Sequence, residues 1–144
     1  MIIYRFTKKI TIRAAILVLF SFFLCSNIYS QEKVSHRETE NLADSLYSAR
    51  NYSEAILHYL SLVDLSDFPT KKASLLYNIA CCLSLQGKKD SAIIFLKQAI
   101  KTGYNDKAHL LADKDLNILY NEPAWTSIVK SIKESKKVLN DDPH

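Results

Sequence analysis

Asn78 to Ile100 reads NIACCLSLQGKKDSAIIFLKQAI, and Asn41 to Val63 reads NLADSLYSARNYSEAILHYLSLV. Set one over the other at an offset of 37, Asn41 falls on Asn78, Leu42 on Ile79, Ala43 on Ala80, Leu46 on Leu83, Ala55 on Ala92 and Ile56 on Ile93. Self-similarity at a fixed period of this size marks a repeated supersecondary unit. The recurring small residues mark places where helices approach closely. Within each unit the apolar residues return at helical spacing, so each unit reads as two helices joined by a tight turn.

The first helix is expected from Ser35, where Ser35-His36-Arg37-Glu38 fits a capping box, to about Arg50. Ser53 or Asn51 then caps a second helix to about Leu65. Thr70 is expected to cap a third, following Pro69 and ending at Gly87, and Asp90 a fourth, running to about Lys101. The fold class predicted is all-α: an α-α superhelix of two hairpins, about 35–68 and 70–102.

Two hairpins leave an apolar face open, and helical repeats need a terminal packing element. Gly103 to Glu134, GYNDKAHLLADKDLNILYNEPAWTSIVKSIKE, supplies one. Its apolar runs at Leu110-Leu111 and Leu116 to Leu119, then Trp125, Ile128, Val129 and Ile132 after Pro123, predict two short helices and a longer one. Residues 103–137 are read as this helical cap and 138–144 as a flexible tail.

The repeat resembles the tetratricopeptide family. Ala43, Tyr52, Ala55 and Tyr59 in unit one carry the likeness, with Ala80, Gly87, Ala92 and Ala99 in unit two. The family's period is about 34 residues, and the extra residues fit in the inter-unit loop LSDFPTK, Leu65 to Lys71. Leu62 stands where an alanine is usual, Leu96 where an aromatic is usual, and no proline ends unit two. The tail is similar to the segment that follows such repeats in exported bacterial proteins, where an Asp-x-Asp-Leu run, here Asp113 to Leu116, precedes a Pro-containing helix.

The N-terminus reads as an address. Arg5, Lys8, Lys9 and Arg13 precede a 12-residue apolar run, Ala14 to Cys25, and then SNIYSQ. That order reads as a secretory signal, residues 1–30, its apolar run short of the ~20 residues of a membrane span. Cleavage after Ser30 would expose Gln31 and leave 31–34 as a linker; the alternative is an uncleaved anchor tethering the protein to a membrane. Phe23-Leu24 before Cys25 is unsuited to lipidation. The expected location is periplasmic or extracellular, with no membrane contact once the signal is removed.

Those four basic residues account for the whole formal charge of +4. A neutral body lacks the electrostatic attraction that dominates binding to phosphate backbones, so nucleic acid is not an expected partner.

Candidate chemistry is sparse. His36, His58, His109 and His144 form no ligand pair, and Gly87 and Gly103 are too few for a phosphate loop. Asp113-Lys114-Asp115 lacks the glycine and distal glutamate of a calcium loop and reads as helix capping. Adjacent helical residues lie about 3.8 Å apart at Cα with side chains ~100° apart, below the roughly 4.4–6.8 Å of a relaxed disulfide, so Cys81 and Cys82 are read as unbridged small hydrophobes. No catalytic residue, metal or cofactor is expected. A redox or enzyme-associated accessory role through Cys81 and Cys82 stands as the alternative, beside a structural subunit of a cell-envelope assembly.

Helical spacing separates an apolar stripe on the first helix, Leu42, Ala43 and Leu46, from another face holding Arg37, Glu40, Asp44 and Tyr47. The same offset yields Ser74, Tyr77, Cys81 and Ser84. Resemblance gives this face its meaning: in tetratricopeptide domains the first helices line a concave groove that holds a peptide or protein segment. The expected function is therefore a non-enzymatic protein-interaction scaffold. Glu40 and Asp44 give the groove an acidic bias and a preference for basic or polar ligands. Cys81 is expected on the groove and Cys82 toward the covered interface.

Overall fold

Arg50 and Gly87, 37 residues apart, both adopt left-handed backbone, at φ 62° and 76°. Arg50 N–H donates to Tyr47 O at 2.9 Å and Asn51 N–H to Leu46 O at 2.8 Å; Gly87 N–H donates to Ser84 O at 2.8 Å and Lys88 N–H to Leu83 O at 2.9 Å. This pair of bonds is the Schellman termination, which satisfies the last carbonyls of a helix while reversing the chain. Even the following residues agree: Asn51 lies at φ −86°, ψ 62° and Lys88 at φ −87°, ψ 67°.

The computed structural model describes residues 35–132. Helix α1 is assigned at residues 35–48, followed by α2, Tyr52–Leu65, α3, Pro69–Leu85, and α4, Lys89–Thr102. Chain contacts divide the protein into residues 1–38 and 39–144. Of the first unit only residues 35–38 are described, and they are helical; the architecture below belongs to the second. The expected signal (1–30), linker (31–34) and tail (138–144) lie outside the described residues, as does the end of the cap beyond 132.

Helices α2 and α4 are 14 residues each and start 37 residues apart. Ala55, Tyr59 and Leu62 are the buried residues of α2, and Ala92, Leu96 and Ala99, at the same offset, those of α4. Ala43 and Ala80, their small counterparts in α1 and α3, are fully buried too. Alanine at these positions lets the paired helices approach closely, since interaxial distance follows side-chain size at the contact. The described residues thus form an all-α array of successively packed hairpins without a strand.

Helix α3 is the centre. It packs on α2, on α4 and on a 3-10 turn from the C-terminal segment, and every residue from Leu75 to Ser84 except Asn78 is buried. Burial on all sides accounts for its apolar residues running nearly all round the helix. The cap consists of α5, Lys107–Ala112, the 3-10 turn Lys114–Leu119, and α6, Trp125–Ser131. Leu110, Leu116 and Leu119 are 0% exposed, each such side chain contributing about 1.5–3 kcal/mol of burial. No helix among the described residues is long and apolar enough to cross a membrane.

The predicted caps need correction. Ser35 is already helical rather than preceding the helix. Phe68, not Thr70, is the α3 cap residue, because Pro69 occupies the first turn, where its fixed φ and missing N–H are harmless. Lys88, not Asp90, precedes α4, and neither Lys88 nor Asn51 makes a side-chain capping bond. The residue that closes each Schellman turn also starts the next helix, so turn geometry rather than capping chemistry sets both boundaries. Leu42, expected in the apolar stripe, is 47% exposed, whereas Ala43 is buried and Leu46 half-buried. In the cap, the helix after Pro123 begins at Trp125, preceded by Ala124.

Candidate functional site

The first helices α1 and α3 line a common face, and the 3-10 turn of the C-terminal segment lies against α3. Asp113 begins that turn as its N-cap, its Oδ1 accepting from Asp115 N–H at 3.0 Å. That bond realises the capping role read from the sequence. The other carboxylate oxygen faces α3: Asp113 Oδ2 accepts from Tyr77 Oη at 2.7 Å and from Cys81 Sγ at 3.5 Å. Tyr120 Oη donates to the Asp113 carbonyl at 2.7 Å, holding the turn from its far end. Across the cleft Tyr47 Oη donates to Asp115 Oδ2, and Tyr59 Oη donates to Asp44 Oδ1 at 2.7 Å.

These groups line a cleft of about 320 Å³ bounded by α1, α3 and the 3-10 turn. Asp44, Asp113 and Asp115 are its carboxylates, and no lysine or arginine is among its described lining residues. Tyr77 also stacks on Tyr104, ring centroids 4.3 Å apart and planes 6° apart, and Tyr104 Oη shares a hydrogen bond of 2.8 Å with His109 Nδ1. The ring stack fixes the Tyr77 side chain and so the direction in which its hydroxyl points.

Every tyrosine and cysteine donor here is held in its protonated form. Burial, with the adjoining Cys81 and Asp113, drives the Tyr77 hydroxyl far above its ordinary value. Burial and the bond to Asp115 do the same for Tyr47, and burial and the bond to Asp44 for Tyr59. The Cys81 thiol is raised strongly by burial and by the Asp113 carboxylate, and Cys82 is pushed up to about 12, chiefly by burial. Thiolate, the nucleophilic form, is thus suppressed at both cysteines. Neutral donors and carboxylates thus stand side by side in the cleft. A carboxylate has about four lone-pair sites, so one tyrosine bond apiece leaves Asp44 and Asp115 able to accept from a ligand.

Of the eight positions singled out by spacing, Asp44, Tyr47, Tyr77 and Cys81 meet in this cleft. The other four do not. Glu40 is engaged in an ion pair with Lys71, Arg37 is exposed in the 1–38 unit, and Ser74 is exposed and donates to Thr70 O of its own helix at 3.1 Å. Ser84 is buried at 1% exposure with no partner for its Oγ. Cys81 departs from the expected contrast with Cys82: both are free thiols and both are buried, because the C-terminal segment covers the α3 face where an open groove was expected. Spacing also missed Tyr59, His109, Asp113 and Asp115 as members of the site. The Asp-x-Asp run was visible, but its docking on α3 is a long-range contact with no local signature. Among the described residues, no group of three or more histidine, cysteine or acidic side chains is arranged to hold a metal.

No family model matches the chain. Over 107 residues it is 28% identical to a chloroplastic protein of Arabidopsis thaliana, a match covering 73% of this chain and 32% of that protein. The chain therefore spans about a third of the curated relative's length.

Proposed function

We propose that this protein is an exported, non-enzymatic interaction module of the tetratricopeptide kind, whose cleft takes a basic side chain from a partner peptide or protein. The carrying observation is the convergence of Asp44, Asp113 and Asp115, with tyrosine hydroxyls beside them, on one cleft without a lysine or arginine among its described lining residues. A guanidinium or ammonium entering there gains charge-assisted hydrogen bonds, which are about twice as strong as neutral ones. The repeat period, the Schellman turns and the buried alanines support the tetratricopeptide reading. The basic and apolar stretch of residues 1–30 supports export.

Fluorescence anisotropy with a labelled arginine-rich peptide and a glutamate-rich control tests the reading. The arginine peptide should bind and the glutamate peptide should not, and the Asp44→Asn/Asp115→Asn variant should bind at least about tenfold more weakly, some 1.4 kcal/mol. Equal binding by native and doubly substituted protein places the recognition surface elsewhere.

A further inference from the structure

A second cleft, of about 770 Å³, opens where the C-terminal end of α4 meets α6. Its volume falls within the ~300–1,000 Å³ typical of ligand sites. Ile100, Tyr104 and Ile128 supply its apolar surface, and Lys97 and Lys101 stand at its edge one helical turn apart. No aspartate or glutamate is among the described lining residues. Among the described residues the two clefts are thus of opposite character, one lined by carboxylates without a lysine or arginine, the other by two lysines without a carboxylate.

Neither lysine makes an ion pair among the described residues. Elsewhere in the fold Lys71 pairs with Glu40 and Lys89 with Glu122. The end of α4 does not need them as caps: Gly103 N–H donates to Ala99 O and Ile100 O, and Tyr104 N–H donates to Ala99 O at 2.9 Å. The helix dipole favours a cation in the last turn, which accounts for Lys101, but the effect fades beyond that turn and leaves Lys97 without a reason. Ser127 and Ser131, on the opposite wall, donate to Ala124 O at 2.8 Å and Ile128 O at 2.7 Å. The two ammonium groups therefore stand at this edge as donors for a ligand.

We propose that the cleft between α4 and α6 is a second docking surface, one that takes an acidic segment of a partner protein bearing apolar side chains. Carboxylates of the segment meet Lys97 and Lys101 while its apolar side chains lie over Ile100, Tyr104 and Ile128. Paired cations beside an apolar floor select such a segment by charge and orient it, the usual role of electrostatic complementarity at an interface.

The test uses the full chain and a fluorescein-labelled peptide of alternating glutamate and leucine, with alternating lysine and leucine as control. The glutamate peptide should bind and the lysine peptide should not. Added salt should weaken the binding, since both lysines are solvent-exposed. Lys97→Glu/Lys101→Glu, checked for unchanged helicity by circular dichroism, should lose at least about tenfold in affinity, and Lys97→Arg/Lys101→Arg should retain it. The Asp44→Asn/Asp115→Asn variant should bind the glutamate peptide as the native chain does, which keeps this surface distinct from the first cleft. Equal binding of both peptides, or binding untouched by charge reversal, overturns the proposal. Self-association in sedimentation equilibrium that charge reversal abolishes also overturns it, by making a second copy the occupant.

Discussion

Tyr77 Oη donates to Asp113 Oδ2 at 2.7 Å, joining the centre of α3 to a turn 36 residues further along the chain. Tyr77 is 4% exposed, so water replaces the partner of its hydroxyl poorly when Asp113 is removed. Hydrogen bonds to a charged group contribute about 1.5–3 kcal/mol. Tyr77→Phe should therefore lower the unfolding free energy by about 1–3 kcal/mol in urea denaturation. Asp113→Ala should cost more, because it also removes the acceptor for Cys81 and for the Asp115 N–H. A double-mutant cycle should show coupling between the two; strict additivity would mean that the bond does not hold the turn.

Gly87 and Arg50 occupy the same left-handed turn in successive hairpins, and the glycine has open space where a Cβ would project. Gly87→Ala therefore meets only the backbone penalty of that conformation, about 1–2 kcal/mol. Arg50→Gly should have the opposite sign, raising stability by up to about 1 kcal/mol, because relief of strain is partly offset by greater freedom of the unfolded chain. Thermal midpoints moving in opposite directions check the pair.

Both α3 cysteines should be silent to thiol reagents in the folded protein. A Cys25→Ser chain has only Cys81 and Cys82, so Ellman's reagent should release colour slowly in buffer and rapidly, for both thiols, in denaturant. Fast native-state reaction at either cysteine would revive the redox alternative.

Alkaline pH should destabilise the fold. The native state holds the Cys82 proton to about 12 against an ordinary value of 9.0. Tyr104, raised chiefly by burial, behaves alike between 10.0 and about 12. Across those intervals the unfolded chain has fewer bound protons than the native chain, so the unfolding free energy falls as pH rises. The contribution is complete below about pH 9 and is lost toward pH 12. Urea midpoints should be insensitive to these groups near neutrality and drop above pH 9. Cys82→Ala should blunt the first part of that decline.

The period of 37, the alanines at helix contacts and Gly87 were enough to read two hairpins from the residues alone, because helix pairing and turn reversal are local events written in local spacing. Arg50 shows the limit of residue type as a guide: it adopts the conformation that glycine supplies in the other hairpin, since the Schellman bonds around it are the same. Asn51 opens the second helix, one of the two residues expected there, whereas Lys88 rather than Asp90 opens the fourth, because the residue that closes the Schellman turn also starts the next helix.

The candidate site was half legible. Face periodicity grouped Asp44, Tyr47, Tyr77 and Cys81 correctly as neighbours, because i, i+3 and i+4 positions share a helix face whatever lies against it. That periodicity carries no information on what docks there. Leu116 and Leu119 bury completely when the 3-10 turn packs, and that burial brings Asp113 and Asp115 onto the tyrosines, sets Asp113 against Cys81, and reduces a broad helical face to a cleft. Local pattern thus specifies the hairpins and the composition of their faces, whereas long-range hydrophobic packing determines which part of those faces meets solvent.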